Sequence, residues 1–91
     1  MNLHSLEQAI HNFWEEIKQS SAPDVHSLYI GQKLLGGAMG DDGTVYAADF
    51  FRYAAEQGNV DAMYELAMCY RWGDGGVYVE PEEALSWLNR A

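Results

Sequence analysis

Apolar residues recur along the first part of the chain at helical spacing. Leu6, Ala9, Ile10, Phe13, Trp14 and Ile17 follow one another by steps of three and one, which gathers all six on one helical face. Glu7, Glu15, Glu16 and Lys18 fall on the other side. Ser5-Leu6-Glu7-Gln8 has the form of a capping box, with Ser5 as N-cap and Gln8 reaching back. The helix is predicted to run to about Gln19 or Ser20, where Ser20-Ser21-Ala22-Pro23 breaks it. Pro23 suits the first turn of a second helix over about Asp24 to Leu35, with Val25, Leu28, Leu34 and Leu35 as its apolar contributions. Gly36-Gly37 is expected to end that helix in a left-handed cap, and Gly36 to Gly43 to form a loop.

Thr44 can cap a third helix, on which Ala47, Phe50, Phe51 and Ala54 share a face before Gly58-Asn59 stops it. A fourth begins near Val60, carries Ala62, Leu66, Ala67 and Tyr70, and stops at Gly73. The fifth starts at Pro81, with Glu82 and Glu83 placed to complement the helix dipole. Its buried face is expected to be Ala84, Leu85, Trp87, Leu88 and Ala91. No segment alternates with a period of two, so an all-α chain of five short helices is predicted.

The last four helices form two hairpins that resemble each other. Ala47, Phe50, Phe51 and Ala54 lie 37 positions before Ala84, Trp87, Leu88 and Ala91, and Asp24 and Gly36 lie the same distance before Asp61 and Gly73. A fixed period of this size marks a helical solenoid, in which stacked hairpins bury one another's apolar faces. The matched alanines suit places where two helices cross closely.

The second hairpin also resembles a known pattern. Ala54-Ala55-Glu56-Gln57-Gly58-Asn59 forms a junction, Ala62, Leu66, Ala67 and Tyr70 follow on a helix, Gly73, Gly75, Gly76 and Val77 make a turn, and Ala84 and Trp87 mark the next helix. This is similar to the Sel-one-like repeat family of tetratricopeptide-like helical repeats, over residues 51–91, with Ala67 where the family usually has glycine. Residues 23–58 resemble a degenerate first repeat. Its turn departs from the pattern, and Lys33 stands where a counterpart of Tyr70 is expected. Residues 1–22 match no repeat and suggest an added capping helix. The resemblance implies one domain: a short right-handed α-solenoid of hairpins 23–58 and 59–91 behind the cap at 1–22. Two repeats are fewer than such stacks usually need, so the cap or a second copy of the chain, in a homodimer, should complete the core.

Composition and charge narrow the function. The chain has 91 residues, 48% of them hydrophobic, enough for a core in one domain. Fourteen acidic residues against five basic ones leave a net charge of −9. Lys18, Lys33, Arg52, Arg71 and Arg90 are scattered, with no patch to neutralise phosphates, which speaks against nucleic acid. Anionic membranes would repel this surface, whereas a basic protein would be steered to it. The N-terminal sequence lacks the basic leader and apolar run of a signal peptide, and no stretch reaches transmembrane length, so the cytoplasm is the expected compartment.

No constellation asks for chemistry. The Gly36–Gly43 loop lacks the Gly-Lys-Ser/Thr of a phosphate loop, and neither Asp41-Asp42-Gly43 nor Asp74-Gly75-Gly76 has the alternating ligands of a calcium loop. His4, His11 and His26 are not at metal-ligand spacing, and Cys69 has no partner for nucleophilic catalysis and reads as a small buried hydrophobe. Adjacent carboxylates such as Glu15-Glu16 do not face one another on a helix. Neither an enzyme nor a cofactor is expected. The expected role is protein binding. Stepping by 100° from Leu66 places Tyr64, Met68 and Arg71 opposite the core, with Glu65 at the edge and Trp72 nearby, a face that could equally pack on the preceding repeat. Asp41, Asp42 and Asp74 could supply an acidic rim. Size, charge and an apparently complete start and end favour a small inhibitor or immunity-type protein that neutralises a basic partner such as a toxin. The resemblance alternatively implies an adaptor or scaffold, or a fragment of a longer array.

Overall fold

A computed structural model of the chain describes residues 2–91, and Met1 lies outside the described residues. The helices are α1 (Leu3–Lys18), α2 (Pro23–Leu35), α3 (Gly40–Thr44), α4 (Ala47–Glu56), α5 (Val60–Trp72) and α6 (Pro81–Arg90). The five predicted helices are present, no strand occurs among the described residues, and the fold is an all-α helical repeat. A sixth element, the single turn α3, takes up Gly40 to Gly43 of the stretch expected to be a loop and adds Thr44. Two start signals act differently from expectation. Asn2, not Ser5, caps α1, its side chain accepting from the Ser5 N–H at 2.8 Å, and Gln8 bonds to Asn12 along the helix. Thr44 does not cap α4; it closes α3, and its hydroxyl donates to the Asp41 carbonyl at 2.7 Å.

Successive helices pack on one another: α1 on α2, α2 on α4, α4 on α5 and α5 on α6. The centre lies at α4, where Ala47, Phe50, Phe51 and Ala54 are all fully buried. Trp14 of α1 stacks on Phe50 with ring centroids 4.1 Å apart, and Phe13 meets the same ring edge-on at 6.3 Å. Phe51 points the other way and lies so close to Gly31 of α2 that a Cβ there would sit 2.6 Å from the ring. On α2 the sealed residues are Ser27, Ile30, Gly31 and Leu34, while Val25 is exposed.

Hydrogen bonds at the helix ends fix the repeat register more closely than sequence matching does. The Ala38 N–H donates to the Lys33 carbonyl at the end of α2, and the Asp74 N–H donates to the Cys69 carbonyl at the end of α5. Both ends are Schellman-type caps, with left-handed Gly37 and Gly73. The first helices are therefore offset by 36 and not 37: Gly37 matches Gly73, Gly31 matches Ala67, and Leu34, not Lys33, occupies the place of Tyr70. Gly36, the C-cap of α2, is right-handed with φ −74°. The second helices keep the offset of 37, so the second turn is one residue longer.

That same spacing extends backwards. Ile10, Phe13, Trp14 and Ile17 precede Ala47, Phe50, Phe51 and Ala54 by 37 positions, and α1 packs on α2 as α4 packs on α5. Helix α1 thus covers α2 from the side on which α4 covers α5. At the other end the expected buried face of α6 is only partly sealed. Ala84 and Trp87 are buried, but Leu85 is 59% and Leu88 37% exposed, and Ala91 is exposed as well. Their counterparts Ala48 and Phe51 are covered because α4 is packed by α2, α5 and the second turn, whereas α6 packs on α5.

Ser27 ties the first hairpin together. Its buried hydroxyl donates to the Phe50 carbonyl at 2.7 Å. Ser27→Ala is expected to cost about 1 kcal/mol, as a single buried neutral hydrogen bond does. Urea denaturation with an unchanged m-value would measure it. A neutral substitution would show that this bond does not hold α2 to α4.

Candidate protein-interaction surface

Helix α5 begins at Asn59, whose side chain caps it by accepting from the Ala62 N–H at 2.9 Å and also donates to Asp24 of α2 at 3.1 Å. Its inner side, Ala62, Met63, Leu66, Ala67 and Cys69, is buried. The opposite side carries Tyr64, Met68, Arg71 and Trp72. Tyr64 is 52% and Trp72 62% exposed, and Met68 is half-buried against the core. Arg71 lies over the Trp72 ring at 5.0 Å, a cation–π contact between two exposed side chains.

Glu65 sits at the edge of this face, half-buried. Burial and then the charge of Asp61 one turn away raise its pKa above the ordinary carboxylate range, and no ion pair among the described residues offsets this. Arg52 is committed elsewhere. It donates to the Tyr70 hydroxyl at 2.6 Å and pairs with Asp49 at 3.2 Å, and although burial works against its charge, these contacts outweigh burial and keep it firmly protonated. Cys69 is buried as expected. Burial, with Asp74 and Glu65, pushes its thiol up to about 12, so it stays a protonated, unreactive hydrophobe.

The acidic residues do not form one rim. Asp74 follows α5 after the cap residue Gly73, near the end of the helix that carries Trp72. Asp41 and Asp42 project from α3, where they line a recess of about 310 Å³ with Leu6 and Met39 and so lie beside α1. Sequence reasoning also missed Tyr78, 89% exposed in the segment between Gly76 and Pro81, and the apolar edge of α2 at Val25 and Tyr29. The absence of a helix around Tyr78 was the available signal for the first. Among the described residues no group of three or more His, Cys, Asp or Glu side chains is arranged to hold a metal, and no helix is long and apolar enough to cross a membrane.

Hairpins stacked in register, with aromatic and charged groups on the outer side of one helix, define a helical-repeat protein. A family model described as Sel1 repeat matches residues 34–59 and again residues 60–91, and the chain belongs to the Sel1 repeat family, whose members serve as protein-interaction modules. The second match coincides with α5 and α6, while the first opens inside α2. Searches of curated proteins and of solved structures gave no match.

Proposed function

We propose that this protein-interaction module is a small acidic inhibitor or immunity-type protein of the cytoplasm, which binds and neutralises a basic protein such as a toxin. The outer face of α5, comprising Tyr64, Glu65, Met68, Arg71 and Trp72 with Asp74 at its end, is the proposed contact. The observation that carries this reading is Glu65: a half-buried carboxylate beside Asp61, in no ion pair among the described residues, on a chain of net charge −9. A partner's Lys or Arg would relieve both the desolvation and the repulsion, and the exposed aromatics on the same face can anchor the contact.

Glu65→Gln separates function from stability. A carboxylate whose folded pKa is raised binds its proton more tightly in the folded than in the unfolded chain. Its contribution to stability is therefore most favourable at low pH and declines as pH rises through that raised value. At pH 7 the glutamine variant is expected to unfold at higher urea than the parent, with the gap closing below the ordinary carboxylate range. Binding of a basic partner is expected to weaken about tenfold, or about 1.4 kcal/mol, mostly when salt is low. A variant that is both less stable and equally good at binding would sink the assignment. Capture of partners on the immobilised protein at low and high salt, read by mass spectrometry, tests the larger claim. A single stoichiometric basic protein, weakened by salt, is the expected result.

One observation favours a second reading, an adaptor or part of a longer array. Leu85 and Leu88 leave the outer face of α6 open where a further helix could stack. Several salt-insensitive partners in the same capture would select it.

A further inference from the structure

The turn that departs most from the repeat pattern builds a cavity. The second turn is closed against α4: the Gly75 carbonyl accepts from the Ala48 N–H at 3.0 Å, and Gly75 is buried. The first turn instead carries Ala38 and Met39 into α3. Buried Gly43 lets Met39 fold back over it, because a Cβ on Gly43 would sit 2.7 Å from the Met39 Cβ. The result is a space of about 170 Å³ between α1, α2 and this turn, walled by Phe13, Ile30, Leu34, Ala38 and Met39. Its volume is close to the ~150 Å³ of an enclosed engineered apolar cavity that takes up benzene, but this space opens to solvent beside exposed Tyr29, Lys33 and Ala38, as an anchor site for a partner must.

Charge divides the surroundings. Met39 is shared with the neighbouring recess that holds Asp41 and Asp42, and neither carboxylate is in an ion pair among the described residues. On the other side Lys33 lies at the wall, its ammonium drawn over the Tyr29 ring at 5.3 Å.

We infer that this cavity is an anchor site for one aromatic or large aliphatic side chain of a protein partner, with an adjacent Lys or Arg of that partner held by Asp41 and Asp42. The cavity volume selects a single side chain, and the two carboxylates select a cation next to it. Lys33 sets the direction, since a basic residue on its side would be repelled. The inference rests on the proposed basic partner and locates a second contact, on α1, α2 and the turn that leads into α3, away from the face of α5.

The test uses capped dipeptides on the full chain, followed through the methyl resonances of Ile30, Leu34 and Met39. Acetyl-Phe-Lys-amide is expected to shift these signals saturably and to bind several-fold more tightly at low salt than acetyl-Phe-Glu-amide. Acetyl-Gly-Lys-amide, which has charge but no anchor, should leave them in place. The double variant Asp41→Asn with Asp42→Asn changes only exposed side chains and should erase the preference for lysine while keeping the binding of both phenylalanine peptides. Ala38→Phe, which fills the space, should abolish both. Absence of saturable shifts with either phenylalanine peptide would overturn the inference, as would equal shifts with the glycine peptide or a preference for glutamate. Capture of a basic protein without these shifts would overturn the anchor site and leave the proposed function standing. Shifts without any captured basic protein would do the reverse.

Discussion

Phe50→Ala is expected to remove a large share of the stability of this protein, about 3–5 kcal/mol. Phe50 is fully buried, and its ring joins α1 to α4: Trp14 stacks on it and Phe13 meets it edge-on, while its backbone carbonyl separately accepts from Ser27 of α2. Truncating a buried phenylalanine costs about 3–5 kcal/mol, from lost burial and the cavity left behind. The two ring–ring contacts, at roughly 0.5–1.5 kcal/mol each, place this site at the upper end of that range. A domain of this size is stable by only about 5–14 kcal/mol at the usual 0.05–0.15 kcal/mol per residue. The loss is also directional. Helix α1 is held against α4 through the Phe50 ring, so Trp14 should become wet before the hairpins melt. Far-UV circular dichroism in urea gives the global cost, and tryptophan emission gives the local one. Trp72 is already exposed, so a red shift in the variant reports chiefly on Trp14 and Trp87. A loss below about 1 kcal/mol with unchanged emission would mean that α1 is held by other contacts.

What sequence could and could not foretell divides along physical lines. Helix α4 was legible because its sealed positions are also its apolar ones, so the pattern and the packing coincide. Helix α2 was not. Two of its four sealed residues are Ser27 and Gly31, chosen for a hydrogen bond to Phe50 and for room beside the Phe51 ring, and both partners lie about twenty residues away. A hydrophobic pattern cannot show a requirement set by another helix. It named Val25 instead, which is exposed. The threefold recurrence of the α4 pattern was present in the sequence but obscured, since Ile10 and Ile17 stand where alanine stands in the later copies.

The interaction surface divides similarly. Exposure of Tyr64 and Trp72 follows from the helical step once Leu66 is placed inside, so one helix suffices to foresee it. The position of Asp41 and Asp42 depends on where α3 packs, and α3 itself arises in a glycine-rich stretch with no apolar period. A cavity shared by two helices and a turn has no linear signature at all.

Glycine at position 76 is expected to be nearly irreplaceable, and the chain contains its own control. Gly76 and Gly58 share a φ of +94°, a conformation that L side chains rarely adopt. Around Gly58 an added Cβ meets nothing within 4 Å, so Gly58→Ala should carry only the backbone cost, about 1–2 kcal/mol. At Gly76 the same Cβ would overlap the Val45 carbonyl oxygen and lie 2.8 Å from its carbon. These are backbone atoms just ahead of α4, and they cannot rotate away as a side chain would. The second turn must then lift from α4, which breaks the bond from the Ala48 N–H to the Gly75 carbonyl and unseals the junction between the repeats. Gly76→Ala should therefore cost several kcal/mol, well beyond Gly58→Ala, and the excess measures the close approach alone because φ is matched. Urea midpoints for the two variants provide the comparison. Equal losses would show that the turn does not press on Val45, and the register that joins the two repeats would then need another explanation.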